Sequence, residues 1–401
     1  MKITDLIVTP VGIPLEMTLL HAWGRHPGFG RVILQVITDE GITGLGETTL
    51  TPSGRQMEEV LKSSKTHIVG EDPFSLERIR AKLNNALYVR MFGPNLANAF
   101  SAIEFACLDI QGQMIGRPVY DLLGGKMRDH VPLSAYIFYQ SPTGDDIPWE
   151  EADARIVEHC ADLCENKGCR SIKFKGGVFR PDLEVETVRH LNERLPGVPV
   201  RLDPNSSWAL TTAVRVAKSC QNLNMEYLED PVWGIAAMAK LKRMAPFMPL
   251  ASNMACFGWE DIGPAAIMDA VDVILADPHW YGGLHAVKAL SRLCESFGLD
   301  LGMHSGTEFG VSMAAILHLG VALPSIHHAP DAHYHYINDD IIKGGPMPYV
   351  NGGMKVPDGP GLGVKLDYDK LKQYNEVYEL FMAGGFKDRV KPEPLYIKSR
   401  W

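Results

Sequence analysis

Seven polar residues, Lys175, Asp203, Glu229, Asn253, Asp277, His304 and Asp331, recur about 24 to 28 residues apart along the chain. Each lies at or near the end of a short apolar run, as in SIKFK (171–175), VPVRLD (198–203), MEYLED (225–230) and LDLGMH (299–304). One aspartate before a proline, such as Asp203 before Pro204, ordinarily makes a turn. A whole series of such residues points to a shared site. Asp203, Glu229 and Asn253 offer two carboxylates and an amide, the all-oxygen set that suits Mg²⁺, with water or substrate completing the octahedron. Without a cation the two carboxylates would repel one another. Alternate residues of a strand point the same way, so Lys173 and Lys175 share a face. Asp277 precedes His304 by one repeat, and a carboxylate beside an imidazole fixes its tautomer and makes it a general acid/base. An amine and an imidazole flanking a divalent ion suit removal of the proton next to a carboxylate, where the charge that develops must be stabilised as it forms. Lys175 is expected to serve one face of that carbon and His304 the other. Lys173 is expected to lower the pKa of Lys175 by like-charge proximity and to contact substrate oxygen.

These residues need elements that bring them together. From about residue 130, apolar runs at 131–138, 171–175, 198–203, 225–230, 248–253, 271–277, 299–304 and 325–331 alternate with segments of helical spacing. That alternation predicts βαβ units closing into a parallel barrel, in which all C-terminal strand ends open on one mouth. A doubly wound open sheet is the second choice, and it would not place polar residues at the ends of so many successive strands. Residues 1–50 contain strand-like pieces and 55–125 read as helical, which predicts a smaller α+β domain. The expected division is 1–128 for this domain and 129–367 for the barrel, with 368–401, including an amphipathic helix at 371–385, returning to the first domain.

Composition narrows the class. A chain of 401 residues with a formal charge of −9 lacks the clustered cations of a nucleic-acid surface. No apolar run reaches the length that spans a bilayer, and the N-terminus lacks the pattern of a signal peptide. Cytoplasm is the expected compartment, with no nucleic-acid or membrane partner. Seven scattered cysteines suggest no disulfide framework. Cys160, Cys164 and Cys169 with His159 match no common zinc spacing and read as buried thiols.

The motifs KFK (173–175), LDPN (202–205), EDP (229–231), ASNM (251–254), ADPH (276–279), MHS (303–305) and DAH (331–333) together resemble the enolase superfamily, on its mandelate racemase side and near its glucarate dehydratase-like members. The resemblance covers nearly the whole chain. It implies a modified (β/α)₇β barrel with an N-terminal α+β capping domain, Mg²⁺ as cofactor, an acid-sugar substrate and a homo-oligomer. Carried over, Lys175 is a base, His304 the opposite acid/base and Asp277 its partner. Asp331 would hydrogen-bond the substrate carboxylate, as a donor only if protonated, and Lys173 would polarise the same group. The capping-loop stretch HAWGRH supplies His21, Arg25 and His26 as substrate contacts, joined by Tyr136, Tyr139, Asn205 and His333. His327, His328 and His335 are further candidates, with loop packing as the alternative. Asn253 as third ligand points toward the glucarate dehydratase group, and the His–Asp dyad disfavours a muconate cycloisomerase-like role. Gly306 and His21 depart from that group's pattern at substrate contacts. The expected activity is dehydration of a glucarate-like aldarate to a 2-keto-3-deoxy acid. Racemisation by the same two bases, and a non-catalytic binding or assembly role, stay open.

Overall fold

The computed structural model describes residues 1–49, 55–87, 94–324 and 326–382. Its first unit is a meander of β1 (Ile3–His21), β2 (Gly24–Thr38) and β3 (Thr43–Thr49), antiparallel throughout. The helices Gln56–Ile68, Leu76–Leu87 and Pro94–Ile115 cover it. The last helix is apolar all round because it is sandwiched: β3 packs on one side and the barrel on the other. Close approach to β3 requires glycine. A Cβ on Gly46 would stand 1.9 Å from the carbonyl oxygen of Ala102, and one on Gly44 would stand 2.0 Å from that of Ala106.

The barrel follows as β5 (Ala135–Ser141), β6 (Ile172–Lys175), β7 (Val200–Asp203), β8 (Met225–Glu229), β9 (Leu250–Ser252), β10 (Val273–Ala276) and β11 (Asp300–Met303), each parallel to the next. The run at 131–138 divides in two. β4 (His130–Pro132) leaves the barrel and pairs with β12 (Gly353–Lys355). The eighth run also departs from expectation: among its described residues there is no strand. Pro330 has no N–H for a ladder. Two bonds close the ring instead, from Ser134 N to Pro330 O (2.9 Å) and from Asp331 N to Met303 O (3.0 Å).

The two units share one sheet, because Thr18, Leu19 and Leu20 of β1 pair antiparallel with Ser141, Gln140 and Tyr139 of β5. The helix Tyr368–Met382 packs on β1, with Asn375 Nδ2 donating to Pro10 O at 2.8 Å. Of the C-terminal segment, residues 383–401 lie outside the described residues. Among the described residues no helix is long and apolar enough to cross a membrane.

A buried histidine ties the barrel to the first unit's last helical turn. His318, on the fully buried helix Gly310–Ala322, accepts from Tyr120 N through Nδ1 (3.2 Å) and faces Leu362 O through Nε2 (3.1 Å). Burial lowers its pKa to about 4. The unfolded chain binds a proton near 6.5 that the folded chain refuses, so His318 favours folding above that pH and this contribution fades as pH falls towards 4. Denaturant unfolding at stepped pH should show a loss on the order of 3 kcal/mol from this group across that window, and His318→Asn should flatten that slope. Gly46→Val should destabilise by roughly 3 kcal/mol in the same assay, as overpacking against backbone leaves nothing soft to move.

Candidate active site

Period-two alternation decides what reaches the barrel's interior. On β6 both Lys173 and Lys175 point inward and are buried. Lys173 Nζ lies 2.5 Å from Glu229 Oε2, 3.0 Å from Asp331 Oδ2 and 3.4 Å from Asp203 Oδ2. Lys175 Nζ lies 2.5 Å from Asp203 Oδ2. The strand ends of β6, β7 and β8 thus bring two ammoniums and two carboxylates into mutual contact. Burial opposes charge on all of them, yet the lysines hold Asp203 well below the usual carboxylate range. Burial and the charge of Asp203 push Glu229 well above it. For Lys175, burial works downward most strongly of any one cause, and Asp203, Tyr136 and Glu229 together outweigh it, so its pKa is raised. The expected lowering by Lys173 is present and smaller than the effect of Asp203.

Asn253 follows β9 directly. Its side-chain amide has one end 3.3 Å from Glu229 Oε1 and 2.8 Å from Asp230 Oδ2. With nitrogen turned to the carboxylates it donates to both. With a cation bound beside the carboxylates, the amide can turn its oxygen to the same point. The donor set Asp203, Glu229 and Asn253 therefore fits a hard divalent ion. Asp230, which the motif contained without a role, builds this corner. Its carboxylate accepts from Asn253 N and Met254 N (both 2.9 Å), from Ala255 N (3.4 Å) and from Ser252 Oγ. It does so from a left-handed backbone conformation, φ 38°. Asn205, Ser206 and Thr307 around the same mouth are also left-handed, the kind of strain that active sites hold.

On β11's end, His304 Nδ1 lies 3.0 Å from Asp277 Oδ2. Asp277 is held well below the usual carboxylate range, burial being outweighed by His279 and His304. Lys175 and His304, Asn205 and Asn253, and His21, His26, Tyr136 and His333 line one cavity of about 590 Å³. Thr49, Asn98, Phe257 and Trp280, which sequence reasoning did not single out, complete the part of its wall nearest the cap and β10. His26 stacks on His21 at 4.3 Å, and burial with the charge of Lys175 lowers its pKa to about 4. His333 Nδ1 lies 2.6 Å from Ser305 Oγ, which donates to Glu308 Oε2 at 2.5 Å. Burial and Lys175 hold His333 well below its usual value.

Other expectations require correction. Arg25 is paired with Asp146 at 2.7 Å and donates to Gly144 O, which turns it away from the cavity. Tyr139 is three residues from Tyr136 and so points to the other side of β5. Its hydroxyl meets Thr187 Oγ1 (3.3 Å), against Phe174 and Phe179. Asp331 accepts from Lys173 Nζ, Arg201 Nη1 (3.1 Å) and Ser134 Oγ (2.7 Å). These donors lower its pKa against the effect of burial, so it is an ionised anchor for Lys173 rather than a protonated donor. His328 bonds Glu226 and Asp300, at the opening residues of β8 and β11, and His327 pairs with Asp300, so both sit at the barrel's far end. His335 packs among His159, Tyr336 and Tyr349.

With this geometry in place, comparison with known proteins defines the class. Residues 155–370 match the enolase C-terminal domain-like family, and residues 5–124 match the mandelate racemase / muconate lactonizing enzyme N-terminal domain. The chain belongs to the enolase superfamily, on its mandelate racemase side. It is 35% identical over 396 residues to a probable glucarate dehydratase of Streptomyces coelicolor, covering 92% of this chain and 90% of that one. More distant relatives include an N-succinyl-L-Arg/Lys racemase of Bacillus cereus, 24% identical over 93% of this chain and 98% of that one. A solved enolase from Thermobispora bispora, complexed with magnesium and formate, is 38% identical with a TM-score of 0.90 over 100% of both chains. Another from Pseudomonas fluorescens, with magnesium, potassium and tartrate, is 32% identical with a TM-score of 0.90 over 100% of this chain and 99% of that one.

The Asp230 cluster makes a prediction independent of activity. Asp230→Ala removes the acceptor shared by the amides of Asn253 and Met254, and hydrogen exchange at those two amides should accelerate at least about tenfold, since each lost partner is worth about 1 to 3 kcal/mol. Exchange in the neighbouring strand β10 should stay unchanged.

Proposed function

We propose that this protein is a Mg²⁺-dependent acid-sugar dehydratase. The observation that carries it is an amine and an imidazole, Lys175 and His304, on well-separated strands of the ring, lining one cavity beside an all-oxygen trio. Asp203, Glu229 and Asn253 would hold magnesium, whose charge, when bound, takes over carboxylates now shared with the lysines and steadies negative charge on a substrate carboxylate. Lys175 Nζ, once released from Asp203 and present as the neutral amine, removes the α-proton from one face. Lys173, fixed by Asp331, keeps a positive charge behind the reacting carboxylate. His304, oriented by Asp277 and entering this step with both ring nitrogens protonated, gives its Nε2 proton to the β-hydroxyl, which departs as water when its C–O bond breaks. The enol left behind tautomerises to a 2-keto-3-deoxy acid. His21, His26, Asn205, Tyr136 and His333 supply polar and aromatic contacts for the hydroxylated chain. The similarity to a probable glucarate dehydratase supports an aldarate as the first substrate.

A stereochemically complete panel of aldarates and aldonates with Mg²⁺, read as keto-acid formation, should give product with at least one member. Lys175→Ala and His304→Asn should each fold normally and lose roughly a hundredfold or more in kcat. α-Hydrogen exchange in deuterated water without keto acid would identify epimerisation instead, for which the same two bases suffice. Asn253→Ala should weaken magnesium binding by about tenfold or more in calorimetric titration. Wild-type affinity in that variant would remove Asn253 from the ligand set.

A further inference from the structure

Behind His304 lies a chain of buried polar groups that crosses from the barrel into the capping unit. Arg31, on β2, is fully buried and pairs through Nε with Glu47 Oε1 of β3 at 2.8 Å. Its other nitrogens cross the boundary. Nη1 donates to Gly306 O at 2.8 Å, in the loop that follows His304. Nη2 lies 3.0 Å from His279 Nε2 and 3.2 Å from Ser312 Oγ. Glu47 in turn accepts from Phe309 N and Ser312 N (both 2.8 Å), at the start of the helix Gly310–Ala322. A buried ion pair of the cap thus grips the barrel loop on which His304 stands.

The chemistry of these groups fixes proton positions. A guanidinium only donates, so His279 Nε2 must present its lone pair to Arg31. The ring proton of a neutral His279 is then on Nδ1, which faces Asp277 Oδ1 at 2.7 Å. That oxygen also accepts from His279 N at 2.9 Å. Asp277 Oδ1 is thereby saturated by two donors, and Oδ2 is left for His304 Nδ1–H at 3.0 Å. His304 consequently keeps the Nε2 lone pair for the cavity it lines. Without Arg31, His279 has a second tautomer available, with its proton on Nε2 towards Ser312 Oγ, 2.9 Å away. In that state a lone pair would confront Asp277 Oδ1, and the carboxylate would swing away from it.

We propose that Arg31 of the capping unit is a positioning residue for the acid/base His304, acting through the tautomer of His279 and the fixed carboxylate of Asp277. The inference rests on the function proposed above for what His304 does, while the alignment of His304 itself is measurable without substrate. The test compares Arg31→Met, His279→Asn and the double variant in ¹⁵N-histidine-labelled full-length protein, with His304→Asn assigning the His304 ring resonances. The wild type should show one His304 tautomer, protonated on Nδ1, and Arg31→Met should show a mixture. In His279→Asn, an amide nitrogen stands where Nδ1–H stood and has no tautomer to lose. That variant, alone and combined with Arg31→Met, should show the wild-type His304 pattern. With a turned-over acid sugar, α-hydrogen exchange on the His304 face should fall on the order of tenfold in Arg31→Met with KM unchanged. Exchange on the Lys175 face should be retained, and the double variant should recover the lost exchange. A single His304 tautomer in Arg31→Met, or a double variant as disordered as Arg31→Met, overturns the proposal. If Arg31→Met does not fold, His279→Leu leaves the Arg31–Glu47 pair intact and removes the donor to Asp277. It should give the mixed His304 pattern, and a wild-type pattern there overturns the proposal equally. Inactivity towards every acid sugar would sink the proposed function and leave this spectroscopic test standing.

Discussion

The barrel's mouth is organised by one requirement: carboxylates taken out of water must be matched by cations close at hand. Asp203, Glu229 and Asp331 are buried within reach of Lys173, and Lys175 and Arg201 flank them. Such a cluster holds because every member has partners, and Lys173 alone reaches three of the carboxylates. Charge balance here is also functional poise. Asp203 and Glu229 are pushed in opposite directions, Asp203 down by the lysines and Glu229 up by burial and by the charge of Asp203. In the proposed function a divalent ion takes a share of these carboxylates, and the lysines are then free to face a substrate.

Structural support and chemistry are therefore hard to separate in this site. Arg201 reaches Asp331 from one side while its other nitrogens pair with Glu226, near the foot of the barrel. Asp230 lends no atom to the proposed ligand set and yet shapes the turn that carries Asn253. Residues that touch the substrate or the ion form a thin layer, and an inner scaffold of ionised groups decides where that layer stands.

Much of this was legible in the chain. The barrel and the placing of these side chains at its mouth could be read because each of Lys175, Asp203, Glu229, Asn253, Asp277 and His304 closes or directly follows a short strand, and strand spacing repeats. Parity would also have removed Tyr139 from the substrate contacts, since residues three apart on a strand cannot face the same way. The eighth strand failed for a local reason, a proline where the ladder needs a donor. Other features had no signal in one dimension. Whether Arg25 or its neighbours His21 and His26 enter the cavity depends on where Asp146 falls, 121 residues away. The pairing of Arg31 with His279 joins positions 248 apart, and neither residue carries a mark of the other in its own segment.

The shared ladder between β1 and β5 has a consequence for how such a protein changes over time. The cap's first strand is stitched to the barrel's first stave at residues 18–20, immediately before the turn that presents His21 and His26. The strand leading into that turn is thus paired with the stave bearing Tyr136. New selectivity is accordingly easiest to reach by exchanging side chains within the turn, because altering its length would drag the stave and disturb the chemistry below.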